Sequence, residues 1–362
     1  MEMAESPHAI MHTRSVPDGI EWQAQHAENN GAPGTARVIR GLLPVLETET
    51  AVGRRMANWQ GLLLEDAMPL RIAGGLHYLL LSGTDKRLEP VYAGLTTDQG
   101  AVDELVVGLV ETFDHLLLPW LDHPPQTNEA GRSASIMAGL LWLSERVGPR
   151  FEMNEIGASA GINTMMERFR FDLGCVAVGP AGSPMHLAPE WRGAPPPGNP
   201  VTGNPVKIEG IRGCDVWPMD LRDPDTVLRL KSYIWPEARE RMGRIDRAAR
   251  LAAERAPELD WMGAADWVEE VLSEPQVKGV TRALFHSIVW QYIPEPSRAR
   301  IVAAMERAGG AATADEPLAW ITLETNRETF AHELRVRYWP GPEEWTLLAT
   351  AHPHGAWVDW VG

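Results

Sequence analysis

The sequence predicts an α/β protein: an N-terminal helical domain, then a doubly wound, mostly parallel sheet that closes on an antiparallel hairpin. Three observations carry that expectation. Up to about residue 148, apolar residues recur at three- and four-residue steps, with few alternating runs. Beyond Pro149, short strand-like runs alternate with helical ones, the order that crossovers between parallel strands require. At the C-terminus, two or three strand-like runs surround PGPEE (340–344). A chain of 362 residues is long enough for two domains with a sizeable core.

In chain order, residues 1–34 are polar and punctuated by Pro and Gly, which predicts a lead-in. VIRGLLPVLE (38–47), VDELVVGLVETFDHLLLPWL (102–121) and SASIMAGLLWLSERVG (133–148) predict a helical cap domain over 35–148. Asn128 or Ser133 would cap the last helix and Gly148-Pro149 would stop it. FEMNEIGAS (151–159) reads as a buried strand entering a Gly-rich turn, and INTMMERFRFDLG (162–174) as the helix leaving it. Residues 175–206 read as an irregular insert, because GAPPPGNP (193–200) is too Pro-rich for an element interior. VKIEGIRGCDVWPMDL (206–221) predicts a strand ending near Asp215, and 223–256 a helix or helix pair broken near Trp235-Pro236. LDWMGAADWVEEVL (259–272) predicts a short strand, a turn and a helix. VTRALFHSIVWQYI (280–293) is the most strand-like run, followed by a helix over 296–308, a strand at PLAWITLE (317–324) and the closing hairpin. Residues 149–362 would form the second domain.

The formal net charge is −16, with −8 in each of the segments 1–150 and 151–362. Neither segment is a basic platform, which disfavours nucleic acid and anionic membrane as partners. The two cysteines, Cys175 and Cys214, form no CxxC or Cys/His cluster, as expected of a reducing compartment without disulfides or structural zinc. MEMAESPHAI lacks the basic region and apolar core of a secretory signal, and LHYLLLSG (76–83) is too short to span a bilayer. A cytoplasmic protein is expected, with its oligomeric state left open.

Most functional information sits in Glu155, Gly157, Ser159 and Gly161, spaced at two-residue steps. Small residues at a strand-to-helix turn let backbone approach a ligand, and a following helix would aim free N–H groups at it. The spacing differs from the dinucleotide G-x-G-x-x-G. A tight corner holding no ligand fits the same residues. The motif resembles the acidic-x-Gly-x-Gly-x-Gly signature of class I S-adenosylmethionine-dependent methyltransferases, with Ser159 at the middle Gly. That resemblance covers 150–362 and implies a Rossmann-like, methyltransferase-type sheet with S-adenosylmethionine as cofactor. It further implies Asp215 as the ribose-binding acid and Asp266 facing adenine, with Trp267 stacking on the ring. The gap from Gly161 to Asp215 is longer than that family's spacing.

Across nearly the whole chain, QTNEAGR (126–132), EIGASAGIN (155–163), EWRG (190–193), RGCDVWPMDL (212–221), WPE (235–237) and FHSIVWQY (285–292) together resemble a bacterial family of unknown function. FHSIVWQY would bring His286, Ser287, Gln291 and Tyr292 to the carboxyl edge of the sheet. There His286 and Tyr292 are catalytic candidates, His286 as a general base. A histidine satisfied inside a buried strand is the plainer reading. Gln126, Asn128, Glu129 and Arg132 are substrate-contact or lid candidates, although a loop with a capping box accounts for them too. WRG (191–193) and Arg212 would bind an anion or pair with carboxylates. His352 and His354 form an H-x-H pair that on a strand would put both rings on one face and could bind zinc. But the pair encloses Pro353, and His332 and Asp359 match no metal-site spacing, so solvent-exposed hairpin histidines are expected. The expected activity is therefore methyl transfer to an unidentified, small-molecule acceptor. The alternative is a non-enzymatic binding or scaffold protein, for which eleven tryptophans after residue 150 would supply a partner surface.

Overall fold

Ser15 opens the first helix, Val16–Asn29, its hydroxyl accepting from the Asp18 N–H at 3.3 Å. Much of the expected lead-in is therefore helical. A computed structural model describes residues 15–60, 66–197 and 206–362. The start of the lead-in (1–14) and the last residues of GAPPPGNP (198–200) lie outside the described residues. The chain divides into two compact units: Met1–Thr127 with Asp223–Asp246, and Asn128–Arg222 with Arg247–Gly362. This division differs from a single cut near 148. The helix Ser133–Val147 belongs to the second unit, where Gly139 lies against Ile321, Leu334 and Val336 of the sheet. Residues 223–246 return to the first.

The first unit is helical, with Pro33–Arg40, Met68–Leu81, Gln99–Leu117 and Pro224–Ser232 among its helices. The unit's core buries Ile20, Ile39, Leu42, Met56, Ile72 and Leu76 completely. The WPE step supplies a polar tie: Glu237 accepts from the Thr35 N–H at 2.9 Å and its hydroxyl at 2.7 Å. His77 donates through Nδ1–H to the Ser232 carbonyl at 3.2 Å, and burial lowers its pKa to about 4. A depressed histidine pKa contributes stability that is complete above about 6.5 and is lost as pH falls through about 4. The loss should approach roughly 3 kcal/mol. Thermal unfolding of His77→Phe should show a smaller drop between pH 6.5 and 4 than the parent chain. An equal drop would place the acid lability elsewhere.

The second unit contains β1 (Arg150–Ile156), β2 (Arg170–Leu173), β3 (Val176–Val178), β4 (His186–Leu187), β5 (Glu190–Arg192) and β6 (Lys207–Asp215). It continues with β7 (Leu259–Trp261), β8 (Thr281–Ser287), β9 (Leu318–Thr325), β10 (His332–Trp339), β11 (Thr346–Ala351) and β12 (Trp357–Trp360). The main sheet runs β5-β12-β11-β10-β9-β8-β1-β6-β7. The run from β7 to β9 is parallel throughout, and β9 to β12 pair antiparallel. This is the mostly parallel sheet with antiparallel C-terminal strands that the sequence predicts. From β1 the chain steps outward to β6 and β7, then returns to β8 on the other side. The carboxyl ends of β1 and β8 thus flank the point where strand order reverses, the place where open α/β sheets bind ligands.

Side chains alternate across the sheet. Ile156, Leu284 and Trp320 pack with Val268, Val271, Ile301 and Met305 from the helices Ala264–Ser273 and Glu295–Ala311. Glu155 pairs with Phe285, and His286 with Thr322. Glu155 therefore points to the face covered by Ser133–Val147, and His286 to the opposite face.

Three local expectations are corrected. No α-helix leaves the Gly-rich turn: a six-residue 3₁₀ segment, Asn163–Arg168, gives way to β2. Phe171 and Leu173 alternate with Arg170 and Asp172, a period-two pattern that favours a strand. Within 175–206, the described residues 175–197 are less irregular than expected, since they supply β3 and β4 to a small sheet and β5 to the edge of the main one. Finally, β8 stops at Ser287 because Ile288 turns to a left-handed φ of +50°. Among the described residues no helix is long and apolar enough to cross a membrane.

Candidate functional site

The two-residue spacing of the motif has a backbone cause. Gly157, Ser159 and Gly161 have φ of +70°, +54° and +71°, three left-handed residues at alternating positions. Asp215, at the end of β6, steadies the strained Ser159: Oδ2 accepts from its N–H at 2.8 Å, and Oδ1 accepts from the Trp217 N–H at 2.8 Å. The neighbouring N–H groups are also used. Ala158 donates to the Cys214 carbonyl, Gly161 to the Ala158 carbonyl and Ile162 to Asn128 Oδ1 at 2.8 Å. This turn offers few free backbone donors, unlike a phosphate-binding loop. The glycines also have packing reasons. A Cβ on Gly157 would lie 2.3 Å from Val289 Cγ2, and one on Gly161 2.7 Å from Pro257 Cβ.

The side chains tell a different story. Glu155 and Asn163 are each 2% exposed, and Ser159 is buried. Asn163 Nδ2 donates to Glu155 Oε1 at 3.4 Å. Glu155 Oε2, Ser159 Oγ and Asn163 Oδ1 are buried and have no hydrogen-bond partner among the described residues. Burial raises the Glu155 pKa to about 8, with Asp215 adding to the rise and Asn163 and the Arg132 charge opposing it. At neutral pH the carboxyl is therefore mostly protonated.

Of the cluster at 126–132, Gln126 falls in the first unit, while Asn128, Glu129 and Arg132 belong to the second. Asn128 holds the turn through Ile162. Arg132, 7% exposed, donates to the Ser287 carbonyl at 3.2 Å and the Pro353 carbonyl at 3.0 Å. Glu129 accepts from the Gly131 N–H at 3.2 Å and lies 4.0 Å from His354 Nδ1. His352 Nδ1 accepts from the His354 N–H, and His332 Nδ1 pairs with Thr325 Oγ1. These C-terminal histidines are half-buried, not solvent-exposed as expected: His354 lies against Glu129, His352 against Trp357 and His332 against Thr325. Among the described residues, no group of three or more His, Cys, Asp or Glu is arranged to hold a metal ion.

His286 is 1% exposed on the other face. Its Nδ1–H donates to Glu324 Oε1 at 2.7 Å, its ring stacks on Trp290, and Nε2 has no partner among the described residues. Tyr292 is 52% exposed in the 3₁₀ turn after β8. Asp266 is exposed and paired with Arg300 at 2.7 Å. Trp267 is 1% exposed in the apolar core, its indole N–H donating to Asp260 at 2.6 Å, so its ring offers no open stacking face. Its expected role as an adenine cover is corrected on that ground. Arg192 and Arg212 pair with Glu190 and Glu274 respectively, the plainer of the two readings for those arginines. Sequence reasoning missed Asn163, Glu324 and Val289. Asn163 closely follows the motif, and Glu324 is the penultimate residue of the parallel strand β9, at the carboxyl edge of the sheet where an acid signals a site.

Fold and site together define a mixed α/β protein with a buried polar cluster at the carboxyl edge of its sheet. Residues 18–360 match the family described as an uncharacterized protein conserved in bacteria (DUF2332), and the chain belongs to that family. No curated protein and no solved structure matches the chain.

Proposed function

We propose that the second unit binds S-adenosylmethionine at the Glu155–Asn163 turn and that the protein is a methyltransferase acting on an unidentified small-molecule acceptor. One observation carries this reading: three buried polar atoms, Glu155 Oε2, Ser159 Oγ and Asn163 Oδ1, lack partners at the turn beside the strand-order reversal. Buried groups without partners are costly, and a ligand that satisfied them would recover that cost. Two of the three side chains present carbonyl or carboxyl oxygens, which suit an ammonium group better than a phosphate. The parallel run β7-β6-β1-β8-β9, with its order reversing at β1, supports the reading of a Rossmann-like, methyltransferase-type sheet.

The fit is good at the amino-acid end of the cofactor, where Glu155, Ser159 and Asn163 would hold it. It is poorer at the adenosine end, where Asp215 already accepts from two N–H groups and Asp266 pairs with Arg300. When bound, S-adenosylmethionine supplies an electrophilic methyl carbon on a sulfonium. Glu155 Oε2 holds a proton until a cation approaches. His286 would accept a proton only through Nε2, because Nδ1 is committed to Glu324.

The second reading, a binding protein without catalysis, is favoured by the packing reasons that already account for Gly157 and Gly161. Of the tryptophans after residue 150, only Trp217 and Trp261 are exposed, so that reading has no broad aromatic surface behind it. Isothermal titration of the intact protein with S-adenosylmethionine and S-adenosylhomocysteine separates the two. Micromolar binding, weakened at least tenfold by Asn163→Ala, is expected. Folded protein that takes up neither ligand at millimolar concentration would leave the second reading standing. Gly157→Val is a poor probe, since its clash with Val289 needs no ligand.

A further inference from the structure

The loop after β8 is held in a costly conformation directly against the turn. Ile288 has φ of +50°, a region that β-branched residues rarely enter and that clusters at ligand clamps and switches. Its N–H donates to the Leu323 carbonyl at 3.0 Å. The next two N–H groups, of Val289 and Trp290, both donate to Glu324 Oε1, at 3.1 and 3.3 Å. His286 Nδ1–H reaches the same oxygen at 2.7 Å. One carboxylate oxygen thus gathers three donors, and charge-assisted bonds of this kind are about twice as strong as neutral ones.

The outcome of this clamping is the position of Val289. Its side chain fills the space above Gly157, where a Cβ would lie 2.3 Å from Val289 Cγ2. Val289 also packs beside the apolar cluster that holds Ile156 and Cys214, so it closes the backbone of the turn at Gly157. The closed arrangement therefore keeps the Glu324 bonds but retains a strained Ile288, and an open arrangement would release that strain at the expense of those bonds.

We propose that Ile288–Trp290 is a removable plug over the Glu155–Asn163 turn, latched by Glu324 Oε1, and that the turn becomes accessible when Val289 withdraws. The proposal rests on the preceding reading for what enters the turn. The opening itself can be measured with no ligand present, so failure of one is distinguishable from failure of the other.

Hydrogen exchange by mass spectrometry on the full chain supplies the test. Glu324→Gln should accelerate exchange in peptides covering 286–292 and 155–163 together, by about tenfold, and leave 133–147 unchanged. Val289→Ala keeps the latch and thins the plug, so it should accelerate 155–163 alone. Cys214 gives an independent readout. It is fully buried in the strand next to the turn, where it pairs with Ile156. In a Cys175→Ser background, its labelling by a thiol reagent should rise in both variants in step with the 155–163 peptides. Two results overturn the plug: unchanged 155–163 exchange in either folded variant, or acceleration spread evenly over the second unit.

Discussion

Glu155→Gln is expected to raise thermal stability above neutral pH and to have little effect in acid. Burial raises the Glu155 pKa from 4.5 to about 8. The folded state thus binds a proton more tightly than the unfolded one between those values. The associated stability is fully present below about 4.5 and is lost as pH rises through about 8. Ionising this carboxyl inside the fold should cost roughly 3–5 kcal/mol by pH 9. Glutamine keeps the shape and never ionises. Midpoints of parent and variant should coincide near pH 4.5 and diverge by several degrees by pH 9. Parallel curves across that range would mean that Glu155 titrates normally and that the turn is wetter than described.

Arg132→Met should produce the largest loss of stability among single changes at the site. The guanidinium ties the end of β8 to the 352–354 loop through the Ser287 and Pro353 carbonyls. Methionine fills similar volume but leaves those acceptors without this donor, at a cost of about 3–5 kcal/mol. A second signature separates this from a generic packing defect. The His332 pKa is lowered by burial first and by the Arg132 charge second, so removing the charge should move it upward. The Glu155 pKa should also climb, since Arg132 opposes its rise. Imidazole titration by NMR on folded variant checks the first shift. A His332 pKa that stays put would show the Arg132 charge to be screened from it.

Those two residues illustrate what the sequence made legible. The alternation of Gly157, Ser159 and Gly161 pointed to a turn because small residues tolerate left-handed φ, and all three adopt it. The strand ending at Asp215, a strand over 317–324 (Leu318–Thr325 in the fold) and the closing strands from His332 onward were legible as short apolar runs bounded by turn residues. The helix expected after the turn failed because MMERF also fits helical spacing, whereas pairing with β3 and β4 draws Arg170–Leu173 into a strand. Tertiary pairing overrode local propensity there. The site was less legible for a related reason. That His286 and Glu155 point to opposite faces depends on the register between β1 and β8, and the Glu324 latch on the pairing of β8 with β9. Neither register is written in local spacing. The resemblance implies Trp267 as an adenine cover beside Asp266, but the residue falls on the buried side of its helix.

We propose that the Glu155–Asn163 turn receives the cationic amino group of an adenosylmethionine-type ligand. Calorimetric titration of the intact protein with S-adenosylhomocysteine at pH 7, repeated in two buffers of different ionisation enthalpy, tests it most directly. Glu155 is mostly protonated before binding and should ionise against the ammonium, so about one proton should be released per ligand bound. In Glu155→Gln the release should vanish. Binding with no proton release in the parent chain, or no binding at all, would contradict the claim.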